Sequence, residues 1–400
     1  MLVSSKRVVS DLDPFSAEFR SDPYSHYEKL RALGPIVWLE KYDIWAVSHH
    51  DTVAAVLNDW ETYSNAGGGG LANYFKQKPW RQPSIILEVD PPDHQRTRAA
   101  LSRALSPRTL KAIRPRFEDD AARFVDAIAD RGTFDAIPEL VTPYPMKVFP
   151  DSVGIEADGR ENLLVYGSMV FGSFGPVTPW YEELMSRSAE VSAWILAHCK
   201  RDAVAPGGVG EMIYEAVDAG QLTEEEAGLL IRSFLSAGVD TTIDSIGLCL
   251  RALAEHPQQW ALVREDPSLA RAAFEEATRY DSSSQSLFRT TTREVEFAGS
   301  TIGKHEKVMC FLGSAGRDPA RWENPDVFDI RRRTVGQIGF GVGIHGCVGQ
   351  MFARLEAEVF FQALAQRIET IEPAGPSVLR LNPGLRGLTS LPLTMTPRAH

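Results

Sequence analysis

FGVGIHGCVG, residues 340–349, is the stretch whose reading decides the fold. It sets Cys347 among Gly341, Gly343, Gly346 and Gly349. Glycines let a backbone turn tightly and come close to a flat ligand. The following segment, GQMFARLEAEVFFQAL, carries apolar residues at helical spacing. A helix starting near Gly349 aims its free N–H groups and its dipole at the sulfur, which favours the thiolate. A lone thiolate on a buried loop suits haem iron, which takes one axial protein ligand and leaves its other face open. The alternative for an isolated cysteine is to pack as a small hydrophobe. Zinc is disfavoured, because His345 is the only other nearby ligand and one His with one Cys is too few.

Composition narrows the classes. The chain has 400 residues, 44% of them hydrophobic, which is ample for a large core. No linker, repeat or low-complexity block interrupts it. Cys199, Cys249, Cys310 and Cys347 lie far apart, as in a protein of a reducing cytoplasm. The N-terminal MLVSSKRVVSDLDPFS has no apolar leader, and no run reaches the roughly 18 apolar residues of a membrane span. A net charge of −11 argues against nucleic acid. No membrane partner is expected, and the protein is expected to be a cytoplasmic monomer.

Local patterns set the elements. Residues 1–22 look irregular. Asp22–Leu33 and Asp51–Leu57 predict short helices, and Ile36–Leu39 with Ile44–Val47 predict a hairpin. Asn65–Leu87 reads as a long irregular stretch, with Gly67–Gly70 read mainly as flexible. DPPDHQRTRAALSRALS opens a helix with His94 and Arg98 at i, i+4, able to bind two carboxylates or to form a solvated face. Helices fill most of 108–275, with breaks at Tyr144–Pro150 and Ala205–Gly210. Leu222–Glu255 is the longest, opening on a Thr223/Glu226 capping box and carrying Ala237-Gly238-Val239-Asp240-Thr241-Thr242 in its middle. Gly, Asp and two Thr are poor helix-interior residues, which marks a functional site or a kink. Pro267–Tyr280 is helical, with Glu276 and Arg279 at i, i+3. Leu287–Arg293, Val295–Phe297 and Leu388–Thr396 read as strands.

The spacing F-x-x-G-x-x-x-C-x-G resembles the cysteine loop of the cytochrome P450 family. Five segments stand in that family's order: DPPDHQRTR, AGVDTT, EATR, FRT and the cysteine loop. The resemblance implies a mainly α fold with small β-sheets, one large domain over residues 1–400. It implies haem b (iron protoporphyrin IX), with Cys347 as the metal ligand and Phe340 among the cofactor contacts. His94, Arg98, Arg289 and His345 match positions that hold the haem propionates. Asp240 matches the proton-relay acid and Thr241 the hydroxyl that steadies bound oxygen. Glu276 and Arg279 match a buried structural lock. Where the family often has P-D-R-F, this chain has Pro325-Asp326-Val327-Phe328, so one of Arg331, Arg332 and Arg333 would have to substitute.

A narrower resemblance is to bacterial enzymes that oxidise para-substituted benzoates, notably by O-demethylating 4-methoxybenzoate. It rests on RQPSIIL (81–87), FGSF (171–174), RSFLSAG (232–238) and FRTTTREVEFAGSTIG. It implies that Arg81, Ser84, Arg232 and Ser233 surround an aromatic carboxylate and that Phe171 and Phe174 hold its ring. Leu87 and Ala237, in the same stretches, belong to that pocket. A carboxylate in an apolar pocket needs charge-assisted bonds. Ser284 and Leu287 stand where bulkier residues are expected, which widens the pocket toward larger para or meta substituents. The implied partners are O2 and a [2Fe-2S] ferredoxin with its NADH-dependent reductase, the donor meeting Arg331–Arg333. The alternatives are a monooxygenase for another small hydrophobe, such as a terpenoid or phenol, and a haem-based sensor without turnover.

Overall fold

Two helices meet at Val239, and the Glu161–Gly172 helix packs against both. The computed structural model describes residues 7–380 and 382–399. In place of the single helix expected over Leu222–Glu255, it has Glu224–Gly238 and Asp240–Glu255, separated at Val239 (φ −85°, ψ −66°). The capping box is formed: Glu226 N–H donates to Thr223 Oγ1 at 3.2 Å, and Thr223 N–H to Glu226 Oε2 at 2.8 Å. At the break the hydroxyls of Thr241 and Thr242 donate to the carbonyls of Ala237 and Gly238, at 2.6 and 2.8 Å. The helix is therefore interrupted where its propensity is poorest, and side-chain donors serve the freed carbonyls.

The Gln350–Arg367 helix packs against Pro107–Asp126 and Ala270–Tyr280. One continuous apolar cluster fills this helical part. The rings of Phe149, Phe234 and Phe352 meet in it with centroids 4.9–6.1 Å apart. To one side lies a six-stranded sheet in the order Val9–Ser10, Val37–Leu39, Ile44–Val47, Lys307–Phe311, Ser286–Thr291, Tyr63–Ser64. The expected hairpin supplies its second and third strands, antiparallel with Trp38 opposite Trp45, and Ile44–Val47 then pairs in parallel with Lys307–Phe311. The Leu388–Thr396 segment divides into Leu388–Ser390, paired with Val378–Leu379, and Pro392–Pro397, paired with Ile368–Pro373.

Three expectations need correction. Tyr144–Pro150, read as a break, lies within the helix Pro143–Val153. Pro143 and Pro145 fall in its first turn, where N–H groups have no intrahelical acceptor, and burial of Tyr144, Val148 and Phe149 outweighs the interior Pro150. Residues 1–22, read as irregular, contain the strand Val9–Ser10 and the helix Ala17–Ser21; residues 1–6 of that reading lie outside the described residues. Gly67–Gly70 is irregular but not slack. Its glycines are buried, and a Cβ on Gly67 would lie 2.3 Å from Thr290 Oγ1 and one on Gly70 2.4 Å from Phe174 Cα. Lys307 Nζ donates to the Gly67 and Gly68 carbonyls at 2.8 Å each.

Candidate active site

The cysteine loop is closed by its own backbone. Cys347 N–H donates to Phe340 O at 2.8 Å. Gly341 and Gly343 sit at φ +69° and +77°, and a Cβ on Gly343 would meet Leu57 O at 2.6 Å, so no other residue fits there. Gly349 caps the Gln350–Arg367 helix, and a Cβ there would lie 3.6 Å from the Phe234 ring and 3.9 Å from Cys347 Sγ. Cys199, Cys249 and Cys310 are buried, whereas Cys347 is exposed. Although its sulfur is accessible, the protein packed around it pushes the thiol pKa up, opposed by the Gly349 and Gln350 N–H groups and the charges of Arg98 and Arg354. Phe340 is half-buried under the Arg354 guanidinium, 4.4 Å from its ring centre.

Four cationic or protonatable side chains converge beside this loop from three elements. His94 and Arg98 come from the Asp93–Ala104 helix, Arg289 from the Ser286–Thr291 strand and His345 from the loop. The rings of His94 and His345 lie 4.3 Å apart, and Arg98 Nη1 donates to Gly346 O at 2.6 Å. Burial, then His345 and Arg98, push His94 down to about 4. Both ring nitrogens of His94 and of His345, and Arg289 Nε, are buried with no hydrogen-bond partner. Asp90 Oδ1, 3.6 Å from His345 Nε2, is the carboxylate that faces them. Buried donors left without acceptors next to a lone accessible thiol fit a flat, dianionic iron porphyrin, whose two propionates supply the acceptors.

At the helix break, Ala237 is exposed and Thr241 half-buried although both helices run through the core. Gly238 does not leave room for a cofactor: a Cβ there would lie 2.1 Å from Phe149. The Asp240 carboxyl is buried against Gly167, with Arg380 Nη1 at 3.4 Å, and Arg380 also pairs with the buried Asp244. Burial raises Asp240 to about 6 and Asp244 to about 7, with Arg380 opposing both.

The residues expected around an aromatic acid are brought into two groups. Ser84 Oγ donates to Ser233 Oγ at 2.9 Å, and Leu87 N–H donates to Ser84 Oγ at 3.1 Å. Arg232 Nη2 donates to the carbonyls of Gln82 and Pro83, at 2.9 and 3.2 Å. Arg81 Nη1 lies 2.9 Å from Glu88 Oε2, a partner that sequence reasoning missed. The second group is Phe171, Phe174 and Leu385, with the two rings edge-on at 5.5 Å. Leu287 borders the cysteine loop, 3.6 Å from where a Cβ of Gly341 would stand, and Ser284 is half-buried.

Glu276 and Arg279 form a fully buried bidentate pair, both contacts at 2.7 Å. Arg279 also donates to the carbonyls of Gly316, Pro325 and Val327. Of the three candidate arginines, Arg332 takes the place left open at Val327. Its Nε donates to Glu276 Oε1 at 3.1 Å, and its Nη atoms donate to the Glu323, Asn324 and Val327 carbonyls. Arg331 and Arg333 stay exposed.

Comparison with known proteins agrees with this geometry. A family profile described as Cytochrome P450 matches residues 210–393. Cytochrome p450 CYP199A2 of Rhodopseudomonas palustris is 50% identical over 387 residues, 96% of this chain and 94% of that protein. The biotin biosynthesis cytochrome P450 of Bacillus subtilis is 30% identical, over 95% of this chain and 98% of its own. The solved structure of cytochrome P450 CREJ in complex with (4-ethylphenyl) dihydrogen phosphate superposes with a TM-score of 0.86 at 27% identity, covering 96% of this chain and 99% of that one. No described helix is long and apolar enough to cross a membrane. The closed cysteine loop, the basic cluster with its unpartnered buried nitrogens and these full-length likenesses lead to one assignment: the chain belongs to the cytochrome P450 family, whose members are monooxygenases carrying haem b.

Proposed function

We propose that this monooxygenase oxidises para-substituted benzoic acids such as 4-methoxybenzoate, by O-demethylation or hydroxylation, in the cytoplasm and with electrons from a [2Fe-2S] ferredoxin and its NADH-dependent reductase. The observation that carries the reading is the Ser84–Ser233 hydroxyl contact, flanked by Arg81 and Arg232 and made between residues 149 positions apart. Arg81 already meets Glu88, whereas Arg232 pairs with no carboxylate among the described residues, and a buried guanidinium without an anion is costly. The likeness to a cytochrome that binds a para-substituted aromatic anion supports the same chemical class.

Cys347 would ligate the iron, His94, Arg98, Arg289 and His345 would hold the propionates, and Phe340 would contact the cofactor. When bound, the haem activates O2 with two electrons and two protons, the thiolate pushing electron density toward O–O cleavage. The chain supplies orientation and protons. Arg81, Ser84, Arg232 and Ser233 hold the carboxylate, while Phe171 and Phe174 fix the ring. Leu87, Ala237, Ser284 and Leu287 line the space left for the para group. Thr241 presents its hydroxyl at the helix break, and Asp240 holds the exchangeable proton behind it. Arg331 and Arg333 meet the acidic donor, so its reduction rate falls as salt rises.

Spectral titration tests the reading. Adding 4-methoxybenzoate to the holoprotein is expected to move the Soret band to its high-spin position. Its methyl ester loses roughly 1.5–3 kcal/mol per charged hydrogen bond, about ten- to hundredfold in affinity. Arg232→Gln is expected to weaken the acid and leave the ester nearly unchanged. A spin shift with a neutral terpene or phenol, and none with any benzoate, would contradict the proposal.

A further inference from the structure

We infer that Glu88 fixes the charge that the acid site accepts, restricting it to monoanions; this rests on the reading of Arg81, Ser84, Arg232 and Ser233 as the acid site. Glu88 is 5% exposed and stands at the end of the same irregular stretch as Arg81 and Ser84. Its Oε2 lies 2.9 Å from Arg81 Nη1 and accepts from the Ser84 N–H at 2.7 Å. Its Oε1 accepts from the Tyr74 hydroxyl at 3.4 Å. A carboxylate of the protein itself thus occupies one of the two arginines expected to take the substrate's carboxylate. Arg81 keeps a buried Nε with no partner, so it retains a donor for a second anion.

The charges can be counted. Arg81 and Arg232 contribute two positive charges and Glu88 one negative, leaving one positive charge for a ligand to neutralise. Lys307, the other cation that Glu88 acts on, is buried and aims its Nζ at the Gly67 and Gly68 carbonyls, at 2.8 Å each, so it is committed to that loop. A benzoate brings one negative charge and closes the count. An aryl phosphate dianion leaves one negative charge in a water-poor site, and an ester leaves one positive charge there. Either excess is costly where the local dielectric is low. Without Glu88 the same scaffold would carry two positive charges and suit a dianion. No feature of the 81–88 stretch requires a carboxylate for its backbone apart from the Ser84 N–H, which an amide oxygen can also accept.

Spectral titration of the holoprotein with 4-methoxybenzoate, its methyl ester and 4-ethylphenyl phosphate separates the outcomes. Wild type is expected to prefer the benzoate. Glu88→Gln is expected to raise the preference for phosphate over benzoate by about tenfold or more, the effect of one added charge at close range. Arg81→Gln removes one positive charge and is expected to erase the preference for acid over ester. The double variant Arg81→Gln with Glu88→Gln restores the single positive charge and leaves neither partner buried alone. It is expected to recover the wild-type order at lower affinity. An unchanged phosphate-to-benzoate ratio in Glu88→Gln, or a double variant that follows Arg81→Gln, would overturn the role of Glu88. Equal binding of acid and ester by wild type would instead overturn the acid site itself.

Discussion

Glu276→Ala is expected to lower the stability of the protein by about 3–5 kcal/mol, because it strands the fully buried guanidinium of Arg279. The carboxylate is a hub. It takes both forks of Arg279, the Nε of Arg332 and the Asp329 N–H, tying the Ala270–Tyr280 helix to the segment leading toward the cysteine loop. A surface pair of the same spacing would be worth under about 1 kcal/mol. Arg332→Ala removes one of these contacts and leaves the bidentate pair, so its cost should be clearly smaller. Denaturant midpoints at constant slope give both numbers. A loss below 1 kcal/mol in Glu276→Ala would mean that the pair does not lock the fold.

The second large effect belongs to Asp240. Asp240→Asn should lower turnover about a hundredfold, the lower end of what a positioned acid contributes, while the substrate-induced spin shift survives. The pH dependence has a definite sign. Asp240 and Asp244 share Arg380 and titrate as a coupled pair raised to about 6 and about 7 by burial, against an ordinary 3.8. The folded protein therefore binds more protons than the unfolded chain across that window, and stability falls as pH rises through it. The acid form is also the proton donor, so turnover should decline on the same side. Arg380→Gln removes the charge that holds both values down and should move the decline to higher pH. A decline that stays in place would separate Arg380 from the relay.

Much of this was legible in sequence where chemistry depends on close spacing. The cysteine loop, the capping box at Thr223 and the Glu276/Arg279 pair each lie within ten residues, and local geometry fixes how their side chains meet. The helix break at Val239 was visible as poor propensity, although the pattern on both sides predicted continuity. What stayed hidden depends on contacts between distant segments or on side-chain direction in irregular backbone. Asp244 meets Arg380 across 136 residues, with no periodicity to announce it. Arg81 and Glu88 are close in sequence, but the loop between them has no repeat from which to predict that they face each other. Arg332 was one of three equivalent candidates until the fold singled it out. Tyr144–Pro150 reads as a break because proline weighs against a helix in sequence, while its cost depends on which turn it occupies.

All of the proposed chemistry hangs on one sulfur. The ferrous carbon monoxide spectrum of wild type and of Cys347→His, with the three buried cysteines intact, tests it most directly. Wild type should show the far-red-shifted Soret band of a thiolate-bound haem. Cys347→His should retain haem and lose that band, giving the spectrum of an imidazole-bound haem. If the shifted band persists in Cys347→His, the iron ligand is another residue, and the site built around this loop is wrong.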